Sequence, residues 1–195
     1  MTWNDSTGHL DAAKAELRTE ILRDRRRHDP ARRSADAQRV LATLLTILSG
    51  PGAVVAAYAP VGNEPGGSLP QTLRSNGFQV LLPVLLPDND LDWALFDTDL
   101  DITDRRLREP PGPRLGVEAI RSATAVVVPA LAVAVTGTRL GRGGGSYDRA
   151  LARVATGTPV IALLHDGEYP RAVPEAPHDR PVTDLITPSG GHHVV

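Results

Sequence analysis

The sequence contains no cysteine, which excludes disulfide frameworks, thiolate nucleophiles and sulfur-ligated metals together. It has no apolar run long enough to span a bilayer; the stretch Ala123 to Ala134 is short and broken by Pro129. The residues Met1 to Asp11 are polar and lack the basic-then-apolar order of a secretory signal. Charge is nearly balanced, at -2 overall, so there is no global basic excess of the kind that marks a nucleic-acid footprint. The run Arg23, Arg25, Arg26 and Arg27, continued by Arg32 and Arg33, has no interleaved aromatics, and it reads as a solvated helix end rather than a strand-binding platform. These absences point to a cytoplasmic location, no membrane partner and no nucleic-acid partner. Lysine is almost missing too. Of the 21 basic residues only Lys14 is a lysine, and a compact ammonium is not replaceable by a planar guanidinium at a tight phosphate contact.

What is present is ordinary globular material. The 195 residues, 41% hydrophobic and 23% charged, suit one domain spanning 1–195 with a sizeable core. Leu10, Leu17, Ile21 and Leu22 recur at helical spacing and predict a helix over Ala12 to Arg27, with Lys14 and Arg18 four residues apart on one side. A second helix is expected from a cap at Ser34 to about Leu48, and a third from about Ser68 to Ser75. Short apolar runs predict strands at Ala53 to Tyr58, Gln79 to Leu82, Leu91 to Phe96, Ala125 to Val128, Pro159 to Leu164 and Asp184 to Thr187. The polar, proline-rich stretch Asp97 to Pro113 reads as a surface segment, and His192 and His193 as part of a solvated tail. Strands alternating with helices predict an α/β protein with a mostly parallel sheet covered on both faces. Its ligands belong at the carboxyl ends of the strands.

The segment Gly137 to Arg149 carries the chemistry. A buried strand ending at Val128-Pro129 is followed by Arg139-Leu140-Gly141-Arg142-Gly143-Gly144-Gly145-Ser146-Tyr147-Asp148-Arg149 and a helix expected from Ser146 to Val154. Glycines allow successive amides to converge on an anion, a following helix adds its free N–H groups, and Arg139 and Arg142 add charge. The spacing is not that of a Walker loop, nor that of the dinucleotide fingerprint, since no acidic residue ends a following strand at the usual distance.

This glycine segment resembles the signature of the 5-formyltetrahydrofolate cyclo-ligase family. The likeness extends to Lys14-x-x-x-Arg18, to Tyr58, Pro60 and Glu64, to His178-Asp179, and to Val182-x-Asp184-x-Ile186-Thr187-Pro188. It departs at Ser146, where an aromatic is usual, at Pro65-Gly66-Gly67, which replaces Val-Asp-Thr, and in the loosely matching Asp97 to Pro113. The resemblance implies a Rossmann-like three-layer αβα sandwich. It also implies ATP- and magnesium-dependent closure of 5-formyltetrahydrofolate to the methenyl ring through a phosphorylated formyl group. On that basis Lys14 and Arg142 are the catalytic candidates. The nucleotide is assigned to Lys14, Arg18, Arg139, Gly141, Arg142, Gly143, Gly144, Gly145, Ser146 and Tyr147. The folate is assigned to Glu64, Tyr58, Trp93 and Tyr147, and magnesium to Asp148 and Asp179. The expected partners are folate and ATP, acting on a monomer. Two other readings stay open: a non-catalytic nucleotide- or RNA-binding relative, and a sugar-phosphate isomerase or transferase on a related sheet.

Overall fold

The computed structural model describes residues 3–97, 99–103 and 107–195, with side chains considered from residue 8 onward. Met1 and Thr2 of the polar amino-terminal stretch, and Thr98 and residues 104–106 of the Asp97 to Pro113 stretch, lie outside the described residues. Helix α1 spans Trp3–Arg27 and α2 spans Pro30–Ile47. Strand β1 (Val54–Ala56) leads through a glycine-rich loop to α3 (Leu69–Ser75). Strands β2 (Gln79–Leu85) and β3 (Leu91–Leu95) form a hairpin, followed by the short pair β4 (Asp101–Ile102) and β5 (Arg108–Glu109). A 3₁₀ segment at Val117–Ser122 precedes β6 (Ala125–Pro129), then come β7 (Ala132–Val133), β8 (Arg139–Leu140) and α4 (Ser146–Leu151). Strands β9 (Val160–Leu163), β10 (Asp184–Thr187) and β11 (Gly191–Val194) complete the chain.

Seven strands form one sheet in the order β11-β10-β9-β6-β1-β2-β3. The five inner strands are parallel, while β3 and β11 run antiparallel at the two edges. Because side chains alternate along a strand, the apolar inner strands supply both faces. Val55, Val80, Val127 and Ile161 pack under α2 and α3. Ala56, Leu81, Val126, Val128 and Ala162 pack against Ile120 of the 3₁₀ segment and Leu151 of α4. The expected sheet with helical cover on both faces is what forms. Among the described residues no helix is long and apolar enough to cross a membrane.

Local differences from the sequence expectation have local causes. The second helix starts four residues before Ser34, because the Asp29 carboxylate accepts a hydrogen bond from Arg32 N and Pro30 fills the first turn. The expected histidine tail is instead β11, turned back by Gly191 at φ 70° and paired with β10. There His192 Nε2 lies 2.6 Å from Asp184 Oδ1. The arginine run is not uniformly solvated either: Arg25 is buried, 2% exposed, in a paired environment described below.

The element that matters most for the site is α1. Its apolar stripe does not pack on the sheet. Leu17, Ile21 and Leu22 cover the β7–β8 hairpin through Leu131, Ala132, Ala134 and Leu140. That hairpin emerges from the carboxyl end of β6, so α1 lies across the end of the sheet where the parallel strands finish.

Candidate active site

The order of strands reverses beside β1, which pairs with β2 on one side and β6 on the other. The chains leaving β1 and β6 therefore diverge and open a crevice at their carboxyl ends, the usual ligand position in such sheets. A cleft of about 540 Å³ lies there. Its lining comes from Tyr58, Val61 and Glu64 after β1, Pro129 to Leu131 after β6, the segment Arg139 to Asp148, and Asp11, Lys14 and Arg18 of α1.

The glycine segment wraps one side of this cleft. Gly143 and Gly145 have φ of 101° and 67°, values that an L side chain adopts only with strain. Among the described residues, the amides of Gly143, Gly144, Gly145 and Ser146 donate to no protein acceptor. Helix α4 ends at Leu151 rather than Val154, so its contribution is these free N–H groups more than a long dipole. Arg149 Nη2 ties the loop to the β2–β3 turn, bonding Asn89 O at 3.0 Å and Gly144 O at 3.3 Å.

Four cations line the cleft beside the loop, each held by a different partner. Arg18 Nε donates to Gly141 O at 2.8 Å, across 123 residues of sequence, and its guanidinium lies against Gly143. The buried Arg139 donates to Asp148 Oδ1 at 3.0 Å and to Arg180 O. Arg142, well exposed, reaches Glu64 Oε1 at 2.9 Å. Lys14 is 7% exposed and donates to Asp179 Oδ2 at 2.7 Å. Burial pushes the Asp179 carboxyl up, but the Lys14 ammonium and the Ala176 amide outweigh it and hold it below the usual carboxylate range. Neither Lys14 nor Arg18 is a solvated helix face.

The two carboxylates assigned to magnesium differ in what they have to offer. Asp148 lines the cleft and uses only Oδ1, which accepts from Arg139 and from Arg180 N. Among the described residues its Oδ2 has no donor, which suits an ion that takes one or two carboxylates and completes its shell with phosphates and water. Asp179 is committed to Lys14 and Ala176 N through Oδ2. It is the counter-ion of Lys14 and, unlike Asp148, is not among the residues that line the cleft. Among the described residues no cluster of three or more acidic or histidine side chains surrounds either.

On the opposite wall Glu64 accepts from Val61 N at 2.9 Å as well as from Arg142. The Tyr58 ring lines the cleft while its hydroxyl donates to Pro65 O at 2.7 Å. Burial, reinforced by Glu64, raises the Tyr58 phenol well above its usual value. Tyr147 also lines the cleft, and among the described residues its buried hydroxyl has no hydrogen-bond partner. Burial and Glu64 push that phenol up as well, against the pull of Arg139. Trp93 departs from the expectation of a folate wall. Its indole is fully buried with Leu81, Ile120 and Val126 and does not line the cleft. Strand alternation turns Trp93 into the core, so it serves packing rather than ligand stacking. The unusual Pro65-Gly66-Gly67 fits tight passages: a Cβ at Gly66 would stand 3.1 Å from Leu163, and one at Gly67 3.2 Å from Ala37.

Some lining residues carried no recognisable motif. Leu107, Arg108 and Glu109 belong to the supposed surface segment, yet they border the cleft. The buried Glu109 accepts from Leu85 N at 3.0 Å and fixes that segment to the end of β2. Arg25 had a readable signal, since Lys14, Arg18, Ile21 and Arg25 fall on one side of α1 by helical spacing.

Comparison with known proteins identifies the family and the fold. Residues 10–188 match the 5-formyltetrahydrofolate cyclo-ligase family. The chain is 41% identical over 186 residues to the 5-formyltetrahydrofolate cyclo-ligase of Mycolicibacterium smegmatis, covering 92% of this chain and 95% of that relative. Its fold is similar to the solution structure of Aquifex aeolicus 5,10-methenyltetrahydrofolate synthetase, with a TM-score of 0.74 and 24% identity over 90% of this chain and 89% of the other. It is also similar to the Mycoplasma pneumoniae 5,10-methenyltetrahydrofolate synthetase, with a TM-score of 0.67 and 21% identity over 89% and 96%.

Proposed function

Since the chain belongs to the 5-formyltetrahydrofolate cyclo-ligase family, we propose that it closes 5-formyltetrahydrofolate to the 5,10-methenyl form with ATP and magnesium, at the cleft between α1 and the glycine segment. The observation that carries this reading is the Arg18 Nε to Gly141 O bond at 2.8 Å, with Lys14 lining the same cleft. It gathers ammonium, guanidinium and free amides where a triphosphate needs them.

In this reaction the formyl oxygen attacks the terminal phosphorus and the bond to the bridging oxygen of ADP breaks. The formyl carbon is then part of an iminium phosphate. The neighbouring amine nitrogen adds to that carbon and loses its proton, and phosphate leaves with the C–O bonding pair. Positioning and compensation of phosphate charge carry most of the catalysis in such transfers. Lys14 and Arg142 place positive charge beside the transferred phosphoryl group, and Arg18 and Arg139 hold the nucleotide and the loop. Gly143 to Ser146 present amides to phosphate oxygens. Asp148 is the side chain that would hold magnesium, which supplies further neutralisation of phosphate charge when bound. Glu64 accepts hydrogen bonds from the amino groups of the pterin, with Tyr58 and Tyr147 as walls.

The test is a spectrophotometric assay of the purified protein with 5-formyltetrahydrofolate, ATP and magnesium. A rise in methenyl absorbance that requires ATP and is matched by ADP formation is the expected outcome. No turnover, or turnover independent of ATP, would refute the reading.

A further inference from the structure

Beneath the folate side of the cleft lies a buried ion pair that the chemistry above does not use. Arg25 Nε donates to Glu168 Oε1 at 2.7 Å and Arg25 Nη2 to Glu168 Oε2 at 2.8 Å. Both residues are buried. The same Nη2 donates to Ala130 O at 2.7 Å, and Ala130 lines the cleft after β6. Glu168 Oε2 also accepts from His165 N at 2.8 Å, in the loop after β9. Arg25 O accepts from Asn63 Nδ2 at 3.1 Å, and Asn63 O lies 3.0 Å from His165 Nε2. Asn63 directly precedes Glu64. The pair thus joins the end of α1 to the loops after β6 and β9, and the Arg25 backbone carbonyl joins it to the loop after β1, the three strands being adjacent and parallel.

A buried pair of this kind contributes little net stability, and apolar residues of similar volume often replace it without loss of folding. Its worth lies in geometry. A bidentate guanidinium–carboxylate contact fixes both planes; here it holds Ala130 through Arg25 and, through Glu168, the amide of His165, whose ring meets the Asn63–Glu64 loop that the Arg25 carbonyl also holds. The nucleotide side has anchors of its own. Lys14 is 11 residues earlier on α1, about 16 Å along the axis, and is held by Asp179, while Arg18 is held by Gly141 O.

We infer that Arg25, Glu168 and Asn63 are positioning residues for folate: they hold Glu64 and the loop after β6 at the spacing the pterin requires, and they act little on the nucleotide. This rests on the function proposed above. Loss of the pair then raises the KM for 5-formyltetrahydrofolate while the KM for ATP stays, a split that a general loss of stability would not produce.

The decisive variant is the double replacement Arg25→Met/Glu168→Leu, which removes both charges together. It is expected to unfold within ~5 °C of the wild type. Its folate KM is expected to rise about tenfold or more, with the ATP KM within about twofold, a tenfold change corresponding to ~1.4 kcal/mol. Asn63→Ala, which cuts the loop from Arg25 O in α1 and from Arg33 in α2 and leaves the buried pair in place, is expected to give the same split. It decides the matter alone if the double variant does not fold. Unchanged folate KM in a folded variant, or folate and ATP KM rising together, overturns the inference. Absence of turnover in the wild-type protein overturns the underlying reading, and the inference with it.

Discussion

Gly143→Ala is the sharpest probe of the loop, because the structure separates two glycines of one motif. Gly143 sits at φ 101°, and an added Cβ would stand 3.4 Å from Arg18 Cζ and 3.6 Å from its Nη2. That contact is ordinary van der Waals distance, so the methyl group fits. The backbone is what resists: a left-handed conformation disfavours an L residue by roughly 1–2 kcal/mol. The loop is exposed, so the strain is relieved by rotating the backbone, which turns the free amides away and shifts Arg18. With ~1.4 kcal/mol per factor of ten, the ATP KM should rise about tenfold while the folate KM and the melting temperature hardly move. Gly141 is the internal control. Its φ lies outside the left-handed range and a Cβ there meets nothing within 4 Å, so Gly141→Ala should leave the ATP KM within about threefold of wild type. Steady-state assays with ATP and folate varied in turn read both. Equal effects of the two substitutions, or a larger one at Gly141, would refute the reasoning.

The carboxylates separate in the same way. Asp148→Asn should raise the magnesium concentration needed for half-maximal rate, whereas Asp179→Asn should raise the ATP KM and leave that magnesium requirement unchanged. A magnesium shift in Asp179→Asn would refute this division of roles. Stability should depend on acid through Asp90, whose carboxyl is held below its usual range by the side-chain hydrogen bonds of Arg153, against the opposing effect of burial. A lowered folded pKa gives stability that is present above the unfolded value, near 4, and lost as pH falls through the folded value. The melting temperature should therefore drop on acidification below about pH 4, less steeply in Arg153→Met, as calorimetry across that range would record.

The sheet was legible in the sequence where burial dominates. Val126, Val127 and Val128 form part of a continuous apolar run because β6 is covered on both faces, and no other local structure suits so short a run. β11 was not legible, since an edge strand of Gly191, His192, His193 and Val194 is held by pairing to β10 rather than by its own apolar pattern. The same holds for β7 and β8, two residues each. The glycine segment could be nominated by its resemblance to a family signature, and Lys14 because it is the only lysine in the chain. Trp93 could not be placed in the core from sequence, since an indole suits a core as well as a ligand wall, nor could the pairing of Asp179 with Lys14 be read, since a carboxylate suits an ammonium as well as a metal. Only the partners decide, and they are distant: Lys14 is 165 residues from Asp179.

That distance also offers the most direct test of the central claim, that α1 delivers its ammonium to a triphosphate held by the glycine segment. Lys14 is the only lysine in the chain, so its acylation by an amine-directed reagent can be followed at one peptide by mass spectrometry. ATP with magnesium should slow that labelling, with half the protection reached near the KM for ATP, and folate alone should not. Labelling of Lys14 at the same rate with and without saturating nucleotide would contradict the account.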